Sequence, residues 1–409
     1  MRIFLVTFTV LVITILSQGC LTPQKAQIDY QNYEVISSDA RWDASNNPHI
    51  VEKSIIVSGA ATLTIEPGVV VKFGKGKELI IEGRLNARGG PENYITFTSN
   101  TANGCSPSAP WKGVRFLGVD ISLSYLNISC SEKGVFGRVK SFEISNSIFS
   151  QNQGSDIYLR GIKKQSSIFN NKFINGKNGI KLQGIRRFVY GISRHHHPAY
   201  KENNYSALIT NVSIVNNDFR NYETAVDVES FKYDNTYTVI SRNNFSNCVN
   251  AIRVEDQESY SFISYNSITN STYGFFENDN DRYGVSFNDN IIKDTDYCVY
   301  VNDADWSRKF YYNNKLYCNK YAFCFTGKRN IKPKIYNNSI LSPNTEYNNI
   351  TSSEKDSFFI RTLNFLVKEK DYERPDKSLV FNILDKTVKL KDLIIHLPEI
   401  AKQKASKKS

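Results

Sequence analysis

The feature that most constrains the fold of this chain is an internal repeat of about 24 residues. Its core motif is an aliphatic or aromatic residue, two intervening residues, an asparagine, any residue and an apolar residue, as in IVNNDF from Ile214 and ISYNSI from Ile263. A unit this short cannot bury its apolar face alone, so it must stack on copies of itself. Successive anchor asparagines are 25, 46, 26, 23, 24, 24 and 24 residues apart, and they are Asn146, Asn171, Asn217, Asn243, Asn266, Asn290, Asn314 and Asn338.

Apolar residues recur at fixed distances from each anchor asparagine. Pairs with one residue between them lie nine and eleven positions after the anchor, as at Ile180 and Leu182 or at Val226 and Val228. This alternation is typical of short strands with one buried face, and no stretch within a repeat is long enough for a helix. The sequence therefore predicts an all-β fold, a single-stranded right-handed parallel β-helix with coils of about 24 residues.

The anchor asparagines have a physical role in such a coil. Asparagine tolerates the left-handed backbone of a tight turn, and its amide can bond the same amide one coil above and below it. The chain contains 43 asparagines, so a compositional bias of AT-rich coding is the alternative explanation. Bias accounts for abundance but not for a fixed register, which favours a ladder at the anchor positions.

The segments before the asparagine repeat alternate apolar and polar residues in a similar way. They include TLTIEPGVVVKFG, LIIEGRLNARG and ITFTS, which begin at Thr62, Leu79 and Ile95. These segments resemble the leading coils of bacterial right-handed parallel β-helix proteins of the pectin-lyase-like superfamily. The superfamily includes polysaccharide lyases, hydrolases, epimerases and adhesins, so the resemblance implies a fold but no particular reaction. Cys105 and Cys130 lie about one coil apart in this fold, which favours a disulfide between neighbouring coils.

The N-terminus is typical of an export signal. Arg2 precedes an apolar run that is too short to span a membrane, so residues 1–19 are expected to be a signal peptide. The run ends in LSQGC, which resembles a bacterial lipoprotein signal with a relaxed lipobox, because Leu16 lies four rather than three residues before Cys20. The resemblance implies that Cys20 is lipidated as the first mature residue and anchors the protein to a membrane of the cell envelope. Plain secretion, with Cys20 as an ordinary thiol, is the alternative.

The extent of the repeat predicts the domain organisation. Residues 20–45 are expected to be a linker or cap, and residues 46–350 the β-helix. Residues 351–398 are expected to form a C-terminal cap over the open end of the solenoid, followed by a basic disordered tail at 399–409. The longest interval between anchors contains a loop insertion at 183–206.

Acidic residues recur just after the second apolar pair of successive coils. Asp227 and Arg253 lie between inward positions, so they are expected to face outward on adjacent coils. Coil registration would align the acids into a groove for an extended polymer, where carboxylates act as general acid and base or bind Ca²⁺ as a candidate cofactor. The alternative is that solvent-facing turns are simply polar. The proposed catalytic residues are Asp227, Arg253, Glu255 and Asp279, and the proposed substrate-binding acids are Glu229, Asp256, Asp281, Asp303 and Asp305, with Glu277 at the same edge.

The insertion that precedes this edge is basic and contains a histidine cluster. His195, His196 and His197 could supply a base or two metal ligands, although adjacent histidines on a strand cannot all point at one centre. Arg186 and Arg187 belong to a stretch from 157 to 201 that has ten Lys or Arg and no acid, which fits docking of sulfate, phosphate or uronate groups. For both features the alternative is a solvated polar surface.

The sequence leaves the type of activity open. The net charge of +11 favours anionic partners, and nucleic acid is not expected for an exported protein. No motif specifies a reaction, since GxSxG and HExxH are absent. The first hypothesis is a lipid-anchored β-helix that binds, and if it is an enzyme cleaves, a polysaccharide or another anionic polymer. The alternatives are a non-enzymatic adhesin or envelope structural protein, and a periplasmic metal- or ligand-binding module. Aromatic residues expected to flank a sugar-binding groove are Tyr260, Tyr273, Tyr283 and Trp306.

Overall fold

The computed structural model describes residues 32–102, 104–162, 164–184, 210–229, 236–255, 260–278, 284–302, 309–326 and 333–342. All of them lie in one compact unit, Met1–Asn364, whereas a second unit, Phe365–Ser409, contains none. The described residues form 29 β-strands and a short 3₁₀ turn at Ala44–Asn46. In this part of the chain no helix is long and apolar enough to cross a membrane.

The strands are short in the N-terminal coils and alternate between short and long afterwards. The first fifteen are Glu34–Ile36 (β1), Ala40–Trp42 (β2), His49–Val51 (β3), Ile55–Val57 (β4), Thr62–Ile65 (β5), Val70–Phe73 (β6), Glu78–Ile81 (β7), Arg84–Arg88 (β8), Ile95–Ser99 (β9), Gly113–Ser124 (β10), Leu126–Ser129 (β11), Val135–Ser145 (β12), Ile148–Ser150 (β13), Ser155–Arg160 (β14) and Ser166–Phe169 (β15). The others are Lys172–Gln183 (β16), Thr210–Val215 (β17), Asp218–Glu229 (β18), Thr236–Ser241 (β19), Asn244–Glu255 (β20), Tyr260–Ser264 (β21), Ser267–Thr269 (β22), Tyr273–Asn278 (β23), Val285–Asn288 (β24), Ile291–Asn302 (β25), Lys309–Tyr312 (β26), Lys315–Thr326 (β27), Lys334–Tyr336 (β28) and Ser339–Leu341 (β29).

Strands of successive coils pair in parallel, and each coil contributes three strand segments. The segments stack into three sheets. Sheet 1 consists of β1, β4, β7, β14, β23, the N-terminal halves of β10 and β12, and the C-terminal halves of β16, β18, β20, β25 and β27. The second sheet includes β15, β17, β19 and β21, and the third includes β13, β22 and the N-terminal halves of β16, β18, β20, β25 and β27. The predicted all-β parallel solenoid with coils of about 24 residues is confirmed.

The solenoid begins earlier than its expected start at residue 46. Strand β1 pairs in parallel with β4, and β2 pairs with β5, so the first coil already starts at Glu34. This coil has no anchor asparagine, and its strands are only three residues long. The motif that reveals the later coils is therefore absent from it.

The interior is filled by residues stacked in register. Phe149, Phe173, Phe219 and Phe245 are fully buried on four consecutive coils. Their ring centroids are 5.1, 4.6 and 4.9 Å apart, and the rings are nearly parallel. Burial of a side chain of this size stabilises a fold by roughly 1.5–3 kcal/mol, so the column contributes strongly to coil stacking.

The predicted asparagine ladder runs from Asn171 to Asn338. In a typical rung, the Oδ1 of Asn243 accepts hydrogen bonds from the backbone N and the Nδ2 of Asn217, at 2.9 and 3.0 Å. The Nδ2 of Asn243 in turn donates to the Oδ1 of Asn266 at 3.1 Å and to the carbonyl of Ile214 at 2.9 Å. The anchors from Asn171 to Asn314 are almost fully buried, so the ladder satisfies polar groups that water cannot reach.

Two details of the predicted ladder are wrong. Asn146 is not a rung, because the neighbouring Ser147 occupies the anchor position and donates its backbone N–H to Asn171 Oδ1 at 2.9 Å. The left-handed backbone also lies one residue before each anchor, as at Asn216 with a φ of 57°. The residue before the anchor thus makes the turn, and the anchor amide bonds to the next coil.

A second ladder lies on the surface, four residues after the anchors. Asn221 Nδ2 donates to Asn175 Oδ1 at 2.6 Å, and Asn247 Nδ2 donates to Asn221 Oδ1 at 3.0 Å. These residues also have positive φ angles, between 56° and 63°. In this exposed ladder each amide donates toward the N-terminal coils, opposite to the buried one.

Disulfides link segments of the solenoid at two places. The predicted bond between Cys105 and Cys130 is confirmed. A second bond joins Cys298 to Cys318, whose spacing of 20 residues did not single it out in the sequence. Within the described residues, Cys248 is a buried free thiol, and burial raises its pKa to about 12.

One carboxyl group lies inside the solenoid. Asp156 is fully buried, and it accepts hydrogen bonds from the Tyr222 hydroxyl and, at 2.7 Å, from Asn152 Nδ2. Burial raises its pKa to about 7, although both hydrogen bonds act in the opposite direction. Gly176 leaves room for this contact, because a Cβ there would lie 2.5 Å from the Tyr222 ring.

Replacement of a middle rung of the buried ladder should destabilise the whole chain. Asn243→Ala leaves the backbone N and Nδ2 of Asn217 without their acceptor, and we expect the free energy of unfolding to fall by about 3 kcal/mol. Urea denaturation followed by circular dichroism measures the change. The exposed neighbour Asn244→Ala is the control, and equal effects of the two variants would contradict the ladder's role.

The buried carboxyl should make stability depend on pH. Between pH 4 and 7 the unfolded state is ionised at Asp156 while the folded state keeps the proton, so the free energy of unfolding should fall as pH rises, by on the order of 4 kcal/mol, and level off above pH 7. Asp156→Asn should flatten this slope in denaturation series from pH 4 to 8. The exposed variant Asp294→Asn should keep it, and an unchanged slope in Asp156→Asn would refute the assignment.

Candidate functional site

The outer surface of sheet 1 carries three rows of side chains, one position per coil in each row. Because neighbouring parallel strands are about 4.8 Å apart, side chains at equivalent positions form continuous columns. We call this surface the three-row face. Row 1 contains Lys77, Lys112, Lys133, Ser155, Asn178, Thr224, Asn250, Tyr273, Tyr297 and Tyr321. Row 2 contains Ile80, Arg115, Phe136, Tyr158, Lys181, Asp227, Arg253, Phe276, Tyr300 and Cys324, and Ile80 is fully buried. Row 3 contains Leu117, Arg138, Arg160, Gln183, Glu229, Glu255, Asn278, Asn302 and Thr326.

The centre of the face is an ion-pair network built around Asp227. This carboxylate is only 2% exposed, and it contacts Arg253 Nε at 3.0 Å and Lys181 Nζ at 3.1 Å. Lys181 also binds Glu229 at 2.8 Å, and Arg253 also binds Glu255 at 2.9 Å. Two cations thus face three carboxylates, which gives the centre a formal charge of −1.

The network keeps its cations charged. Burial alone would lower the pKa of Lys181, but its hydrogen bonds and charge interactions with Glu229 and Asp227 outweigh burial and raise that pKa. The pKa of Arg253 is raised in the same way, since Asp227 and Glu255 outweigh the effect of burial. Lys181 and Arg253 therefore stay charged at neutral pH.

The C-terminal end of the face contains no charged side chain in its three rows. Tyr273, Tyr297 and Tyr321 stack with centroids 5.1 and 5.6 Å apart, and Phe276 stacks on Tyr300 at 5.4 Å. Since neighbouring rings cover each other's faces, a ligand would mainly meet ring edges and hydroxyl groups.

Row 3 adds a chain of hydrogen bonds beside these rings. Asn278 Nδ2 donates to Glu255 Oε1 at 3.1 Å, and Asn302 Nδ2 donates to Asn278 Oδ1 at 2.8 Å. The Thr326 hydroxyl donates to Asn302 Oδ1 at 2.9 Å. These hydrogen bonds fix the orientation of the two amides, so row 3 presents a regular polar edge beside the aromatic rows.

The N-terminal end of the face is basic. Row 1 begins with three lysines on successive coils, and rows 2 and 3 add arginines, of which Arg138 and Arg160 are adjacent and exposed. Arg115 lies 3.9 Å from Glu78, a nearly buried acid of the same end.

The structure brings four of the proposed site residues together. Asp227 and Arg253 are direct neighbours on adjacent coils, and Glu229 and Glu255 flank them in row 3. The other proposed residues lie outside the described residues, and they are Asp256, Asp279, Asp281, Asp303, Asp305, His195, His196, His197, Arg186 and Arg187. Cys20 and the expected cap and tail also lie outside them, as do Tyr283 and Trp306.

Glu277 does not lie in the groove, contrary to the expectation. It pairs in register with Val254 and Val301, is fully buried, and contacts the ammonium group of Lys309 and, at 3.2 Å, the hydroxyl of Tyr311. The position is eleven residues after an anchor, which is one of the inward positions of the repeat. Strand alternation, applied to this coil, would have assigned Glu277 to the interior, but the prediction followed its acidic character and was wrong.

The anchors would have revealed the rest of the face. Rows 1, 2 and 3 lie seven, ten and twelve residues after each anchor asparagine, as Asn178, Lys181 and Gln183 do for Asn171. Acidic character alone identifies only one class of side chain at these positions. The tyrosines and amides of the same rows were missed, apart from Tyr273.

The described carboxylates do not form an open metal site. No group of three or more His, Cys, Asp or Glu that could hold a metal ion occurs in the described part of the chain. Around Asp227, ammonium and guanidinium groups occupy the oxygen atoms that Ca²⁺ would need.

Comparison with known proteins gives little further information. No family model matches the chain. The Drosophila melanogaster protein named protein bark beetle is 36% identical over 96 residues, which cover 22% of this chain and 3% of that protein. The match therefore spans less than a quarter of this chain and only a small part of that protein.

Removal of the central carboxylate should destabilise the face. Asp227→Ala leaves Lys181 and Arg253 with fewer partners in a half-buried setting, and we expect the free energy of unfolding to fall by about 3 kcal/mol. The control is Asp218→Ala, which breaks an exposed pair with Arg220 and should change it by less than about 1 kcal/mol. Urea denaturation of both variants measures the difference, and comparable losses would show that the network is no stronger than a surface pair.

Proposed function

We propose that this protein is an exported, lipid-anchored β-helix of the pectin-lyase-like type that binds a polysaccharide along the three-row face. The observation that carries the proposal is the regular alignment of polar and aromatic side chains over ten coils of one sheet. At about 4.8 Å per coil this surface is roughly 43 Å long, which suits an extended polymer better than a small molecule.

The chemistry of the C-terminal half supports a sugar ligand. A sugar ring presents hydroxyl groups, which need both donors and acceptors, and apolar C–H edges. Row 3 supplies amide and hydroxyl groups at Asn278, Asn302 and Thr326, while rows 1 and 2 supply tyrosine hydroxyls and aromatic edges. The hydrogen bonds among these side chains hold them in place before binding, which lowers the entropy lost on association.

The ion-pair network favours a protein that binds the polysaccharide over an enzyme that cleaves it. Asp227 and Arg253, proposed as catalytic, hold each other and are further held by Lys181 and Glu255. A general acid or base needs a carboxylate that reaches the substrate, and among the described residues Glu229 and Glu255 are the more exposed candidates. A surface adhesin or envelope structural protein is consistent with this arrangement, whereas the metal-binding alternative has no support from the described residues.

Binding of the purified protein to a glycan array tests the proposal. Tyr300→Ala combined with Asn302→Ala removes one ring and one amide from the face, and we expect at least a tenfold loss of affinity for the glycans that bind, equivalent to about 1.4 kcal/mol or more. The matched control is Tyr317→Ala with Asn319→Ala, outside sheet 1, which should leave affinity unchanged. An array without any bound glycan, or equal losses in both variants, would refute the proposal.

A further inference from the structure

The basic end of the three-row face has a charge arrangement that the fold itself does not need. Lys77, Lys112 and Lys133 follow one another in row 1: the backbone N–H of Lys112 donates to the carbonyl of Lys77, and that of Lys133 donates to the carbonyl of Lys112. Like charges placed directly opposite on neighbouring strands are destabilising. No stacking or hydrogen-bond requirement of the coil demands lysine at these positions, since later coils have serine, asparagine or tyrosine there.

Few acids neutralise this end. The basic end consists of the four coils that contain Lys77, Lys112, Lys133 and Arg160. The acids near the face on these coils are Glu78, which is 3% exposed and 3.9 Å from Arg115, together with Glu82 and Glu132. The six cations of rows 1 to 3 therefore exceed the three acids by three charges. Arg138 and Arg160 are exposed on adjacent coils, and neither has an ion-pair partner among the described residues.

One of these cations, Lys133, is held in position by aromatic rings. Lys133 Nζ lies 5.5 Å from the ring centroids of both Phe136 and Tyr158, which places its charge over row 2. The Tyr158 hydroxyl donates to Gln183 Oε1 at 2.6 Å, so the ring that supports the ammonium group is fixed in turn. A positioned cation beside two arginines is suited to charge-assisted hydrogen bonds with an anion.

We infer that the basic end is an anion subsite for the glycan of the proposed function, and that it fixes the direction in which the glycan binds. Sulfate, phosphate or carboxylate substituents occupy the coils of Lys112, Lys133, Arg138 and Arg160, and the uncharged part of the chain extends over Tyr300 and Asn302. The inference rests on the proposed function, because the same face binds both parts of the ligand.

The charge distribution over the rest of the face favours a ligand that is charged at one end only. The centre has a formal charge of −1, and the nine positions of the last three coils are uncharged. A uniform polyanion would gain attraction over only about 14 Å, the span of four coils, and would meet repulsion at Asp227 and its neighbours. A glycan with anionic groups at one end complements the entire face.

Dextran and its sulfated, phosphorylated and carboxymethylated forms are the probes for the subsite, since they share one neutral backbone. Lys112→Gln, Arg138→Gln and Arg160→Gln together should weaken binding of at least one charged dextran tenfold or more and reduce its salt dependence. The control removes three exposed lysines outside sheet 1, as Lys172→Gln, Lys293→Gln and Lys315→Gln, and should retain affinity. Equal losses in both triple variants, or no binding of any charged dextran, would overturn the subsite.

The same dextrans distinguish failure of the anion subsite from failure of the proposed polysaccharide binding. Tyr300→Ala with Asn302→Ala should leave binding of short charged dextrans unchanged, because these contact only the N-terminal coils. If charged dextrans bind through the arginines while no neutral glycan binds anywhere, the subsite stands and polysaccharide binding along the entire face fails.

Direction is tested with a glucan oligosaccharide that carries a sulfate and a photoreactive group at one end. Mass spectrometry should find cross-links in peptides from 112 to 160. Cross-links spread equally over peptides from 297 to 326 would overturn the orientation.

Discussion

The structure depends on hydrogen bonds that pass from coil to coil in constant register. The backbone of every strand pairs in parallel with its neighbours, and the buried anchor amides repeat the same bonds with side chains. Because an anchor Oδ1 accepts both a backbone N–H and an amide N–H of the preceding coil, a shift of one residue would leave several buried groups unsatisfied. The ladder therefore fixes the register, and the register aligns the interior aromatic column and the outer rows of sheet 1.

Much of this architecture could be read from the sequence, for a physical reason. The period of the anchors is a direct consequence of coil length, and alternation around Ile180 and Leu182 identifies the inward side chains. The pattern fails where the local chemistry differs. The first coil has no anchor asparagine, and one coil before Asn171 the anchor position is occupied by Ser147, whose backbone N–H donates to Asn171 Oδ1. The site was harder to predict, since ion pairs such as Arg253 with Asp227 depend on side-chain conformations and not only on register.

Charge and polarity change along the three-row face while its geometry stays constant. Basic side chains dominate near Arg138, paired charges surround Asp227, and uncharged rings and amides lie near Tyr300. A helical or globular scaffold would have to build such a sequence of surfaces from different elements. In a solenoid each coil contributes one position per row, so a linear ligand can be matched unit by unit.

The hydrogen bond between Asn171 and Asn217 has a wider consequence. These residues are 46 positions apart and Asn217 and Asn243 are 26 apart, yet the amide bond is 3.0 Å long in both cases. The connection between two rungs can thus lengthen by nearly a whole coil while the amide bond between the rungs keeps its length. In evolution or in engineering, segments that follow row 3 are free to acquire new sequences, because the scaffold tolerates their length at no loss of order in the stack.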